Sequence, residues 1–163
     1  MSAILRSAEA FGVHEAHMVC NHFRPSTGAA KGSERWLELT LHQTTTDCVE
    51  ALRERGFKLY VCDLDEHAVA PSELPVDEPL ALLFGAELAG VSAEARALAD
   101  GFVKIPMTGV TQSLNVSAAA AVVLSHVCDR RHKVPGAVGI SGEQAERFLE
   151  RIAAEEHPRI YRA

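Results

Sequence analysis

Apolar positions along this chain recur with two periods. In residues 2–11, Ile4, Leu5, Ala8 and Phe11 fall three and four apart, which predicts a helix, and Gly12 supplies its C-terminal stop. Residues 15–19 form a short strand candidate. Residues 21–33 read as a loop rich in Gly, Ser, Pro and basic side chains. In residues 36–41, Leu37, Leu39 and Leu41 alternate with polar positions and predict a strand with those three leucines on one face. Thr46 or Asp47 is expected to cap a helix that runs to Arg55 and stops at Gly56. A strand over 57–64, an acidic, proline-containing connection over 65–79 and a continuous apolar strand over 80–84 follow, the last patterned as a buried parallel strand. Ser92 caps a helix to Ala99, and 102–105 is the next strand. A long Ala/Val helix starts at Val116 and carries no surface-type charge as far as His126, so it is expected to be buried all round. After a loop over 133–140, a last helix starts at Ser141 with Ala145, Phe148, Leu149 and Ile152 on one face. Strands alternating with helices define an α/β fold with a mainly parallel sheet.

At 163 residues the chain is expected to be a single domain with one full core. No apolar run reaches the ~18 residues of a membrane span, and the first residues lack the charged-then-apolar layout of a secretory signal. Cys20, Cys48, Cys62 and Cys128 are far apart, with no Cys-x-x-Cys pair, which excludes a zinc ribbon and fits reduced thiols in a cytoplasmic protein. The eight histidines show no local ligand spacing. His14 and His17 stand three apart without an acidic third ligand, so no metal is expected.

A net charge of −6 weighs against a nucleic-acid partner, which ordinarily meets a basic footprint. The cations are clustered, however: Arg24, Lys31 and Arg35; Arg130, Arg131 and Lys133; Arg159 and Arg162. Each cluster alone reads as solvated surface; several on one face would read as an anion site.

Two polar, glycine-bearing turns follow apolar strands. In the first, Gly85 and Gly90 flank Glu87; it is not the Gly-x-Gly-x-x-Gly fingerprint, and no glycine loop is followed by a phosphate-binding lysine. The second runs from Ile105 through Pro106, Met107, Thr108, Thr111, Gln112, Ser113 and Leu114 to Asn115, wedged between a strand end and the Ala/Val helix. In open α/β folds ligands sit at such places.

Residues 82–92 and 105–124 resemble the second and third signature motifs of the SpoU/TrmH family of RNA 2′-O-ribose methyltransferases, and residues 2–13 resemble the back part of the first. The Lys-Gly-Ser-Glu-Arg-Trp run at 31–36 and the His-Gln-Thr-Thr run at 42–45 are similar to the TrmH branch, which methylates a tRNA D-loop guanosine. The resemblance covers roughly residues 2–130. It implies a SPOUT fold with a C-terminal trefoil knot, S-adenosylmethionine as cofactor, tRNA as substrate and a homodimer built on the first and the Ala-rich helices. Under it, 1–163 is one SPOUT domain with 141–163 as a helical extension.

The resemblance further implies that Gly85, Ile105, Met107 and Leu114 line the cofactor pocket, with Cys62 at its edge. Arg6 matches the family's catalytic arginine, and Glu87, Ser113 and Asn115 are the polar groups that fix ligand and helix geometry. The family's first motif opens with an Asn preceded by a strand. Neither falls within this sequence, so an N-terminal strand is expected to be missing from the sheet, as are the N-terminal helices that help bind tRNA. A misplaced start is the favoured explanation, because Arg6, Glu87, Ser113 and Asn115 are in place. A shortened, catalytically impaired cofactor- or RNA-binding module is the alternative, and methylation of ribosomal RNA is another.

Overall fold

A computed structural model of the chain describes residues 1–20, 22, 36–136 and 142–160. The loop expected at 21–33 apart from residue 22, the basic residues Arg24, Lys31, Arg35 and Arg162, most of the 31–36 motif, residues 137–140 of the loop at 133–140, the start at Ser141 and the side chain of Arg159 lie outside what is described.

The element order is α1 (Ser2–Ala10), β1 (Glu15–Val19), β2 (Glu38–His42), α2 (Thr45–Glu54), β3 (Lys58–Cys62), a short 3-10 turn at Pro71–Glu73, β4 (Leu80–Phe84), α3 (Ala93–Ala97), β5 (Gly101–Val103), α4 (Val116–Arg131) and α5 (Gly142–Ile160). Every paired strand is parallel. β1 pairs with β2, and β3 lies between β4 and β5 in the order β4-β3-β5. The expected sheet is therefore present in two hydrogen-bonded pieces.

The two-residue period of β3 divides the interior. Leu59 and Val61 point toward α2 and form one core with Val49, to which Ala81, Leu83 and Phe102 add. Tyr60 and Cys62 point the other way, toward Leu74, Val76, Val103, Val123 and Val127. The register Val61↔Phe102 and Cys62↔Val103 carries this alternation into β5. Both faces of the three-stranded piece are thus covered, as a parallel sheet requires.

Several sequence expectations are corrected. Thr44, not Thr46 or Asp47, caps α2: its side chain accepts the Asp47 N–H at 3.1 Å, and its extended backbone lets the hydroxyl turn back. Helix α4 is buried on one face only, through Ala120, Val123, Leu124 and Val127; Ala118 is exposed, and Ala119, Ala121 and Val122 are half-buried. Leu41 and Leu149 lie largely in solvent although their patterns placed them inward. The connection over 65–79 is not a passive loop, since Leu74 within it is fully buried. Arg130 and Arg131 are not a solvated patch. Arg130 donates to the Leu74 carbonyl at 2.8 Å, and Arg131 to those of Val76 and Glu78 at 3.1 and 2.7 Å. The two arginines at the end of α4 pin that connection by satisfying its carbonyls.

Candidate active site

The chain passes from β3 to β4 on one side of it and then to β5 on the other. The crevice beyond the carboxyl ends of these strands is therefore a topological switch point, where parallel α/β sheets take ligands. Cys62 ends β3, Gly85 follows β4, and Ile105 stands two residues beyond β5. Three of the expected cofactor residues are accordingly brought together by strand order alone.

Past Ile105 the main chain of residues 105–114 makes no hydrogen bond with any described residue. It carries the exposed side chains of Met107 and Leu114 and keeps Ile105 half-buried against the core. Unpaired peptide groups interleaved with apolar side chains suit a ligand that offers both a heteroaromatic ring and polar atoms. S-adenosylmethionine is such a molecule, so these residues fit it.

Gly85 has a tighter role than open access for a ligand. A Cβ there would stand 2.4 Å from the Gly90 carbonyl carbon and 2.6 Å from the Val91 nitrogen. The turn folds back on itself through Ala86 N–H to Gly90 carbonyl and Gly90 N–H to Ala86 carbonyl bonds of 2.9 and 2.8 Å. Its glycine is needed by its own returning backbone.

This turn presents Glu87 to the start of α4. Asn115 Nδ2 donates to Glu87 Oε1 at 3.0 Å, while Asn115 Oδ1 accepts from Ser117 N and Ser117 Oγ at 2.9 and 2.7 Å. Asn115 is thus both the N-cap of α4 and the tie between the two motif turns. Ser117 in turn lines a groove with Arg6 and Ser7 of α1. Arg6 is exposed, and its side chain has no hydrogen-bond or ion-pair partner among the described residues. Ser113 is exposed on the 105–115 segment. Glu87, Asn115 and Ser117 therefore form a hydrogen-bonded run that ends at the groove holding Arg6, and Ser113 stands two residues before Asn115.

Cys62 is not a nucleophile. Burial, seconded by the Asp63 charge, pushes its thiol up to about 12, so it stays protonated and apolar. A support that sequence reading missed lies beside it. Arg96 of α3 bridges Asp63 and Asp65 after β3 and stacks on Phe102 of β5 at 5.2 Å. Lys104 Nζ also donates to the Asp65 carbonyl at 3.0 Å. The charges of residues 63, 65 and 96 were visible, but only the strand order shows that they meet.

On the other sheet piece, Arg55 grips Glu15 with two hydrogen bonds of 2.6 and 2.8 Å, and Gln144 of α5 adds a third at 2.6 Å. The Arg55 hydrogen bonds hold the Glu15 carboxyl below its ordinary 4.5. Because the folded value is depressed, this contact contributes stability above pH 4.5 and loses it as pH falls through the lower folded value. Denaturant titrations between pH 6 and pH 3 are expected to show that loss, with a shallower pH dependence in Glu15→Gln.

A parallel α/β domain with a ligand crevice at a switch point, a side-chain-capped helix at its rim and an exposed arginine in a groove with that helix is suited to bind a small-molecule cofactor. The chain belongs to the SpoU rRNA methylase family, whose profile matches residues 1–125. It is 46% identical over 139 residues to the tRNA (guanosine(18)-2'-O)-methyltransferase of Thermus thermophilus, covering 82% of this chain and 70% of that relative. Across the curated tRNA relatives it spans between 55% and 76% of their length. The crystal structure of the Aquifex aeolicus TrmH/SpoU tRNA modifying enzyme superposes with a TM-score of 0.81 at 29% identity, over 95% of this chain and 81% of that one. The Streptomyces viridochromogenes SpoU methyltransferase AviRb, solved in complex with AdoMet, gives 0.68 at 30% identity, over 81% and 55%. Among the described residues no helix is long and apolar enough to cross a membrane.

Proposed function

We propose that this chain is an S-adenosylmethionine-dependent tRNA methyltransferase that modifies the ribose 2′-oxygen of a D-loop guanosine, acting as a cytoplasmic homodimer. The observation that carries the reading is the unpaired main chain of residues 105–114 at the sheet's switch point, joined through Asn115 and Ser117 to the groove of Arg6. The family match and the tRNA enzymes among the relatives support the substrate.

The cofactor supplies an electrophilic methyl group on sulfur. Gly85, Ile105, Met107 and Leu114 would hold it, with Cys62 as a neutral apolar wall. Positioning of the 2′-oxygen in line with the methyl accounts for much of the acceleration. A guanidinium stays protonated at ordinary pH, so Arg6 is a donor and not a base. It would clamp a substrate phosphate and stabilise the alkoxide developing at the 2′-oxygen, whose proton would pass to that phosphate. Asn115 and Glu87 keep α4 and the motif turns in fixed relation, and Ser113 offers a hydroxyl beside them.

The proposal extends to the trefoil knot of the family and to the dimer. The N-terminal half of α4, with Ala118 exposed and Ala119, Ala121 and Val122 half-buried, is the small apolar surface a second copy would cover. Labelled methyl transfer to separate pools of tRNA and ribosomal RNA, followed by mapping of the modified ribose, tests the function. Label at one D-loop guanosine ribose is the expected result. Cofactor binding without incorporation would favour the binding-module reading, and label confined to ribosomal RNA would overturn the substrate.

A further inference from the structure

We propose that His17, His42 and Cys48 form a binding site for one zinc-class cation, which staples β1, β2 and α2 together. The register aligns His17 with Thr40 and Val19 with His42, so both histidines lie on one face of the β1/β2 piece, two positions apart. The first turn of α2 places buried Cys48 against them. One donor atom from each residue lies within 4.8 Å of the other two. His17 Nδ1 and His42 Nε2 are 2.9 Å apart, with the rings nearly parallel at 19°.

The donors converge to within reach of one ion: the two nitrogens are 2.9 Å apart and all three donors lie within 4.8 Å of one another. Tetrahedral zinc with nitrogen at about 2.0 Å and sulfur at about 2.3 Å sets its ligand atoms about 3.3–3.8 Å apart. To reach that geometry the nitrogens must part by a few tenths of an ångström and the thiol must lie within it. Two imidazole nitrogens facing each other can share only one proton, whereas a cation accepts both lone pairs. Two imidazoles and a thiolate select a borderline-soft ion and disfavour magnesium or calcium, which demand oxygen ligands.

The outer contacts match a metal-bound histidine as well. His17 turns its other nitrogen, Nε2, toward Glu15 Oε2 at 3.7 Å. Glu15 is itself held by Arg55 and Gln144. At that ion-pair distance the carboxylate favours a proton on Nε2, which leaves Nδ1 to face the ion. Sequence spacing hid the set because its members lie on three elements and meet only through strand register. None of these elements carries the residues of the cofactor crevice, so the ion is structural and its binding is separable from methyl transfer.

Chelator-treated full-length protein titrated with cobalt(II), and with zinc followed by elemental analysis, tests the site. The expected result is one ion per chain, a tetrahedral visible spectrum and a sulfur-to-cobalt charge-transfer band. Cys48→Ser should lose that band while Cys20→Ser keeps it, and zinc should raise the thermal midpoint of the wild type but not of His42→Gln. Glu15→Gln should weaken zinc affinity about 10–100-fold. Circular dichroism of the metal-free variants separates lost binding from lost folding, and half-buried His42 serves where replacement of buried Cys48 unfolds the chain. Absence of stoichiometric binding to folded wild type, or binding unchanged in both Cys48→Ser and His42→Gln, would overturn the proposal.

Discussion

Arg6→Ala is expected to lower single-turnover methyl transfer about 100- to 1,000-fold, the range seen when a preorganised donor to a developing oxyanion is removed. Cofactor affinity and thermal stability should stay close to wild type. Arg6 is exposed, and its side chain meets no ionic or hydrogen-bonding partner among the described residues, so truncation falls within the roughly ±0.5 kcal/mol typical of surface sites. The groove it lines is otherwise formed by Ala3, Ser7, Ala10, Phe11, Ser117 and Ala118. An exposed guanidinium with no described partner, in a groove with the first turn of α4, is available to a phosphate. Arg6→Lys keeps the charge but loses the planar fork, so it should recover part of the rate and not all of it. Rate measured with saturating cofactor, paired with equilibrium dialysis of the cofactor alone, separates the roles. A variant that turns over normally would remove Arg6 from the reaction, whereas one that loses cofactor binding would place Arg6 in the pocket itself.

What the sequence made legible follows from the range of the forces involved. Period and capping act over a few residues, so α1, β1, β4 and the Ser92 cap of α3, which accepts the Ala95 N–H at 3.1 Å, were readable. Thr44 was misread because three successive threonines offer the same hydroxyl, and only the extended backbone of the first decides among them. Leu74 was missed because it and Val76, the buried aliphatic pair of a proline-rich connection, make too short a run to set a period. It is held by contacts from a helix more than fifty positions away, including the Arg130 bond to its own carbonyl. The candidate site residues were proposed through their motif resemblance. Their mutual geometry, Glu87 to Asn115 to Ser117, was not, since it depends on where α4 returns against the turn after β4. His17, His42 and Cys48 carry no local signature, and parallel register brings them together.

Gly85→Ala is expected to be the most disruptive single-atom change in the crevice, and its effect should reach the cofactor before the core. The added methyl would meet the Gly90 carbonyl carbon, the Gly90 oxygen at 2.5 Å and the Val91 nitrogen, all main-chain atoms. A flexible side chain could swing away from such a contact; backbone cannot, so the turn must open. Opening it breaks the paired Ala86 and Gly90 bonds and moves Glu87, which hangs on that turn. Asn115 then loses the acceptor for its Nδ2 while keeping its cap on Ser117, so α4 stays formed but its tie to the β4 end slackens. Overpacking of this kind costs about 1–3 kcal/mol where neighbours can shift, and the rigid neighbours here put the expected loss at or above the top of that range. Urea unfolding should therefore show a lower midpoint with an unchanged slope, and calorimetric titration should show cofactor affinity falling by more than in Glu87→Gln. Glu87→Gln retains an oxygen that can still accept from Asn115, so it isolates the charge from the geometry. If Gly85→Ala bound the cofactor like wild type, the turn after β4 would be a structural strand ending, and the crevice would have to be closed by the 105–115 segment alone.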